Sequence, residues 1–504
     1  MNRRYSNFRK PLVMRCLAGL LGLAVALPLA PAVAQPVGLP SMGAASSADL
    51  SPALERQLGE AIMAQGRRDP TFINDPEVTQ YLTTLGRKLA NFAPGAVPDV
   101  EMFGVRDPQI NAFAMPGGFI GVNSGLIVQS TSEAELASVL AHEIGHVVQR
   151  HIARGMTQQN QSGVVMMASL AAALLAALAG GGGNLAVGVA AFGQAAAINQ
   201  QLGFSRDAER EADRAGFTML TRAGYDPDGM VRMFSRLMGA SRLNEGTGGG
   251  AWASTHPLSI ERMSDIQNRV RNLPAEKYTD SDDYWYIRAK MRVIQGRDAV
   301  SLRSATQVLQ DDARRLTGVQ QSAAFYGLAL QAFQRNQIDE AQRYLEQAEA
   351  GGRSSPQLAR LAIDLAAARK DGAQALQLAA AAIKRWPQQR ALGIAYAQAL
   401  QGVGRHAEAQ SYLRERIKQW GDDEPGLYQM LAYSEERNGH PVEARRDMAR
   451  YYVLTGAYAA AEAQLQQARN LSKDFYEQSQ IDVQIRDVKE RLAQERELLE
   501  RFKG

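Results

Sequence analysis

The chain has 504 residues, more than one compact core ordinarily organises, so its length alone favours two or three domains. Hydrophobic residues make up 45% and charged residues 21%, the balance of an ordinary globular protein, which suggests neither a disordered chain nor a polytopic membrane protein. The formal net charge of +4 comes from the N-terminal segment, and no basic stripe, zinc-finger spacing or aromatic-basic motif follows it, so nucleic-acid binding is set aside.

That segment reads as an export signal. Arg3, Arg4, Arg9, Lys10 and Arg15 precede an apolar run from Cys16 to Ala30, and Ala32-Val33-Ala34 has the form of a cleavage site. A signal peptide over residues 1–34 takes away five basic and no acidic residues, leaving a mature chain at −1. Cys16 is the sole cysteine and leaves with it, so any zinc site in the mature chain must be built from His and carboxylates. Residues 35–49 are rich in Pro, Gly and Ser and read as a flexible lead-in.

Apolar residues then fall at helical spacing, at Leu54, Leu58 and Ile62 and at Val78, Leu82, Leu85 and Leu89, predicting two amphipathic helices. Runs at 100–105 and 119–122, with Pro116-Gly117-Gly118 as a turn, predict a small sheet. Ser132 and Glu135 form a capping box that starts a helix with Leu136, Val139, Leu140 and Val147 on its buried face. Residues 163–198, apolar and broken by Gly180 to Gly183, read as a helical hairpin that either packs on the protein or makes peripheral contact with a membrane or substrate. Neither half reaches the ~20 residues a span needs.

From about residue 284 the pattern is almost wholly helical and repeats. Ala341, Ala375, Ala409 and Ala444 recur at intervals of 34, 34 and 35, each after a turn: Asn336-Gln337, Asp371-Gly372, Gly404-Arg405 and Asn438-Gly439. That period is the tetratricopeptide repeat's, in which small residues let paired helices pack closely. The charged stretch from Lys489 to Lys503 reads as a solvated terminal helix.

The chemistry lies in His142-Glu143-Ile144-Gly145-His146. On a helix, His at i and i+4 point from one face and can share one Zn²⁺, with Glu143 beside them as general base. Zinc also takes a third protein ligand and leaves a position open. His151 sits one residue from where a third His of an extended motif would fall and reads as a helix-end residue. The stronger candidate is Glu209: with Asp213 at i+4, one carboxylate can bind metal while the other orients a ligand imidazole, whereas Glu211 falls ~200° round the helix and reads as solvated.

The segment Asn111-Ala112-Phe113-Ala114-Met115-Pro116-Gly117-Gly118, the H-E-x-x-H helix and Ser205-Arg206-x-x-Glu209-x-x-Ala212-Asp213 together resemble the HtpX / CAAX prenyl protease type of zinc metallopeptidase. Signal peptide and C-terminal repeats make the chain similar to that family's periplasmic members. The resemblance implies His142, His146 and Glu209 as ligands of one zinc, Glu143 as general base and Asp213 supporting a ligand. It also implies that His256, in Thr255-His256-Pro257-Leu258, can fill the open zinc position and hold the enzyme latent. On the residues alone, a substrate-facing or structural His256 stays open. Phe113 to Val122 is expected to be an edge strand that pairs with extended substrate.

The expected architecture is an α+β zincin-type domain, mainly helical with a small sheet, over residues 50–275, followed by an α-helical tetratricopeptide-repeat domain over 276–504. The resemblance implies misassembled outer-membrane proteins as substrates, a chaperone-like role, and contact with the outer-membrane β-barrel assembly machinery through the repeats. Two other readings are an assembly factor acting mainly through its repeats and a membrane-embedded peptidase.

Overall fold

The computed structural model describes residues 51–95, 99–157, 204–243, 256–274, 276–350, 353–421 and 424–503. The expected signal peptide, the lead-in and the apolar hairpin at 163–198 lie outside them. Among the described residues no helix is long and apolar enough to cross a membrane.

Two capped helices come first, α1 (Pro52–Gly66) and α2 (Pro76–Ala90). Ser51 accepts from the Leu54 amide, Asp75 accepts from those of Glu77 and Val78, and each helix has Pro in its first turn, where no intrahelical donor is lost. The apolar stripe places Leu58, Ile62, Val78, Leu82, Leu85 and Leu89 in the interior. Strands β1 (Glu101–Val105), β2 (Ala112–Ala114) and β3 (Phe119–Asn123) form a sheet of order β1-β3-β2, with β1 parallel and β2 antiparallel to β3.

Phe113 to Val122 is therefore a hairpin and not one edge strand. Gly117 and Gly118 have φ of 79° and 85°, a left-handed backbone that reverses the chain, so β2 alone forms this edge and β3 lies at the centre. A Cβ on Gly118 would stand 2.2 Å from the Asp99 carbonyl oxygen, so the turn admits no side chain there.

Helix α3 (Ser124–Gln129) leads to α4 (Glu133–Val148), which carries the H-E-x-x-H motif. Ser132 caps it by accepting from the Glu135 amide, but the Glu135 carboxylate turns to the amide and hydroxyl of Thr131, one residue earlier than a closed capping box requires. Helices α5 (His151–Thr157), α6 (Arg206–Arg222), α7 (Asp228–Leu243) and α8 (Ile260–Arg271) complete this part of the fold.

The repeats begin with α9 (Asp282–Gln295) and α10 (Ala299–Arg315), continue through α11 (Gly318–Gln334), α12 (Ile338–Glu349), α13 (Pro356–Ala368), α14 (Gly372–Arg385), α15 (Arg390–Gly402), α16 (His406–Trp420), α17 (Pro425–Arg437) and α18 (Pro441–Leu454), and end with α19 (Tyr458–Leu471) and α20 (Phe475–Lys503). Ala341, Ala375, Ala409 and Ala444 are buried in the first turns of α12, α14, α16 and α18. The residues with left-handed backbone before those helices, Asn336, Lys370, Gly404 and Gly439, carry the same period. The chain thus has the α+β domain and the tetratricopeptide-type array that its sequence predicts.

Helix α9 belongs to both parts. Tyr284, Ile287 and Met291 enter the core that α2, α4, α6 and α7 build, while Tyr286, Ala289 and Val293 pack on the first repeat. The last helix departs from the solvated expectation: Leu499 is fully buried and clusters with Leu58, Ile62 and Phe119 of the α+β domain.

Candidate metal centre

Helices α4 and α6 cross with almost nothing between them. A Cβ on Gly145 would meet the Ala212 carbonyl oxygen at 2.8 Å, and one on Gly216 would meet the His142 amide nitrogen at 3.0 Å. This approach lets the short carboxylates of α6 reach the imidazoles of α4. His142, His146, Glu209 and His256 each offer a donor atom, and the four atoms lie within 4.8 Å of one another. All four side chains are buried.

His142 Nε2 stands 3.0 Å from His146 Nε2 and 3.4 Å from Glu209 Oε2, and His146 Nε2 is 3.5 Å from Glu209 Oε1. Asp213 Oδ1 lies 2.9 Å from His142 Nδ1, on the side of the ring away from the cluster, so that Nε2 faces the other donors. Buried imidazole nitrogens converging with a carboxylate, and a second carboxylate behind one ring, are the donor set that zinc takes in cysteine-free sites. The residues present fit a divalent metal.

Glu143 lies beside the donors, fully buried, and its Oε2 accepts from the Ala114 amide of β2 at 3.2 Å. His256 is wedged between this carboxylate and the others: its Nε2 is 3.3 Å from Glu143 Oε1, its Nδ1 2.9 Å from Glu209 Oε1 and 3.3 Å from His142 Nε2. Phe204 stacks on His146 with ring centroids 3.9 Å apart.

A model of peptidase family M48 matches residues 76–270. The beta-barrel assembly-enhancing protease of Escherichia coli is 31% identical over 468 residues, 92% of each chain. The chain belongs to the M48 metallopeptidases. Its similarity extends to the beta-barrel assembly-enhancing protease of Yersinia pestis, 34% identical over 61% of this chain and 62% of that one. It also extends to the mitochondrial metalloendopeptidase OMA1 of Arabidopsis thaliana, 34% identical over 32% of this chain and 30% of that one. M48 membership implies a divalent metal, and in this M48 chain one buried cluster among the described residues could hold it.

The electrostatics of the M48 site follow from burial and pairing. Burial alone would depress His142, but hydrogen bonds to Asp213 and Glu209 outweigh it and hold the imidazole up at about 9. His146 is pushed well below its ordinary value by burial and by neighbouring His142. Burial would raise Glu209 and Asp213, yet His256 and His142 around the first, and Arg262 and His142 on the second, keep both below the usual carboxylate range.

Arg262 is absent from the sequence-based site. It is buried on α8, gives two hydrogen bonds to Asp213 at 2.7 and 2.8 Å, lies 2.8 Å from Glu209 Oε2, and donates to the Pro257 carbonyl at 2.8 Å. It thereby ties the His256 segment to both carboxylates of α6. Its sequence signal was faint: a lone Arg in a polar helix, distinguished by sharing the buried face of Met263 and Ile266. Glu211 differs from the solvated expectation, being half-buried and paired with His151 and Arg154. His406 and His440, 34 residues apart, fall one place out of step in successive repeats: His406 is the first residue of α16, whereas His440 precedes α18 at the place that Arg405 holds before α16.

Proposed function

We propose that this chain is a zinc endopeptidase of the periplasm that degrades misassembled outer-membrane proteins and assists their assembly. One observation carries the peptidase chemistry: two imidazoles and a carboxylate converge on one buried point directly beside Glu143. His142, His146 and Glu209 would hold one zinc per chain, with Asp213 orienting His142. When bound there, zinc supplies Lewis acidity and an activated water near neutral pH. Glu143 takes the proton of the attacking water and returns it to the leaving amine, and the Ala114 amide holds its carboxylate in place for both transfers.

Substrate enters as an extended strand on β2. Met115 N and Asn111 O bond to β3 and the Ala114 amide is taken by Glu143, so the backbone groups of Ala112, which point away from β3, are where main-chain pairing would accept many sequences. The names of the relatives support a part in outer-membrane protein assembly. The repeats would bind the assembly machinery and unfolded chains. A cavity of about 570 Å³ between α2, β1 and helices α15 to α18, lined among others by Gln80, Arg87, Arg390, Gln429, Trp420 and Tyr451, offers the polar and aromatic contacts a polypeptide needs.

The position of His256 supports a second state of the same protein, a latent protease that acts mainly through its repeats. Its ring lies between base and ligands, where water and a peptide carbonyl would have to come. Metal analysis of the purified protein, with proteolysis of an unfolded model protein by wild type and His256→Ala, tests both states. About one zinc per chain and a rise in proteolysis on His256→Ala are expected. Failure to take up zinc rejects the metallopeptidase chemistry, and a fall in activity with normal zinc content rejects the latch.

A further inference from the structure

The second histidine of the motif is gripped from behind by another imidazole. His146 Nδ1 lies 2.8 Å from His151 Nδ1, His151 Nε2 lies 3.1 Å from Glu211 Oε2, and the same carboxylate oxygen accepts from Arg154 at 2.7 Å. His151 is only 3% exposed.

A neutral imidazole has one N–H and one lone pair, and a carboxylate only accepts. Facing Glu211, His151 must therefore carry its proton on Nε2. Its Nδ1 is then a lone pair, so His146 Nδ1 is the donor across the 2.8 Å contact. That leaves the Nε2 of His146 as a lone pair turned into the four-donor cluster. The opposite arrangement sets a His151 lone pair against the Glu211 carboxylate and puts a proton on His146 Nε2, leaving that atom no lone pair for a metal.

The backbone is bent to make this contact. In an unbroken helix residue 151 would stand ~140° round from residue 146, on another face. Arg150 instead has φ of 52°, the left-handed region uncommon for a side-chain-bearing residue, and α5 starts afresh at His151. Arg150 is itself held by Glu55 at 3.2 Å. A constrained turn, a buried ring and a charged terminus to the chain of hydrogen bonds all converge on one atom, His146 Nδ1.

We propose that His151, backed by Glu211 and Arg154, is the positioning residue that fixes His146 in its metal-ligating tautomer, the counterpart of Asp213 behind His142. The proposal rests on the metallopeptidase reading above. It assigns His151 no contact with substrate or metal.

Zinc titration of the full-length mature protein, stripped of metal and competed with a chromophoric chelator, tests it. His151→Phe keeps a ring and removes both nitrogens, and should weaken zinc binding about 10- to 100-fold. His151→Asn places an amide oxygen where Nδ1 stands and should stay within about threefold of wild type, because the acceptor is restored. Glu211→Ala, a half-buried position with little effect on folding, should weaken zinc several-fold by freeing the His151 ring. Wild-type affinity in His151→Phe, or a loss in His151→Asn equal to that in His151→Phe, shows that His151 only fills space and overturns the proposal while leaving the peptidase reading intact. A wild-type protein that takes up no zinc overturns both.

Discussion

At Glu143 the contacts separate the proposed task of moving a proton from that of holding a metal. The carboxylate is anchored by a backbone amide of β2 and is not needed to hold the three proposed ligands. Glu143→Gln should therefore keep zinc content and thermal stability while proteolysis falls roughly 10²- to 10⁴-fold, since an amide cannot accept the proton. Zinc analysis beside a peptidase assay checks this, and substantial residual turnover would place the base elsewhere. Arg262 makes the opposite case. Its guanidinium holds Asp213, Glu209 and Pro257 together, so Arg262→Gln leaves two buried carboxylates short of their partner. It should lose both stability and metal affinity, in contrast to Glu143→Gln. A variant with wild-type melting and zinc binding would refute that role.

The α4–α6 crossing depends on Gly145, the third residue after His142. Gly145→Ala sets a methyl group 2.8 Å from the Ala212 carbonyl, and relief requires the helices to part. The expected cost is about 1–3 kcal/mol of stability, with weaker zinc binding because Glu209 and Asp213 withdraw from α4. Calorimetry with and without zinc should show the metal-dependent gain in melting temperature shrinking in this variant.

The α17–α18 pair contains a pH-sensitive contact. Burial, then the charge and hydrogen bond of Glu435, hold Asp447 up at about 8. The folded repeat keeps a proton that the unfolded chain releases near the ordinary carboxylate value of about 4. The contribution of this group is thus fully present below that value and is lost as pH rises through about 8. Thermal midpoints measured from mildly acidic to alkaline pH should decline, and Asp447→Asn should flatten that decline.

Across the whole molecule the two architectures share helices at both ends of the repeat array. Tyr284, Ile287 and Met291 of α9 fill the α+β core, and Leu499 of α20 enters the cluster beneath α1 and β3. A chain ending near residue 275 leaves the first apolar surface open, while one ending after Gln295 covers it. The longer piece should give more soluble, monomeric protein, as gel filtration will show. In the intact chain, Leu499→Ala should cost about 2–5 kcal/mol, and chemical denaturation measures it. Because the same cluster includes Phe113 and Met115, the loss should extend from the repeats to the strand that borders Glu143.

The sequence by itself determined whatever is carried by spacing within one element. The i, i+4 pairs His142/His146 and Glu209/Asp213, the cap at Ser132, and the 34-residue period of small residues all follow from helix geometry, which is local and regular. His256 was found only through a resemblance, since no periodicity links it to α4. The tertiary structure decided the rest: that β2 is the edge of the sheet and β3 its centre, that Gly145 and Gly216 bring α4 and α6 together, and that Arg262, His151 and Glu211 stand behind the proposed ligands. These residues act across breaks in regular structure, at a left-handed turn or between helices distant in sequence. Their roles depend on which surfaces meet, and burial and chain reversal decide that at a range the 3.6-residue and two-residue periods do not reach.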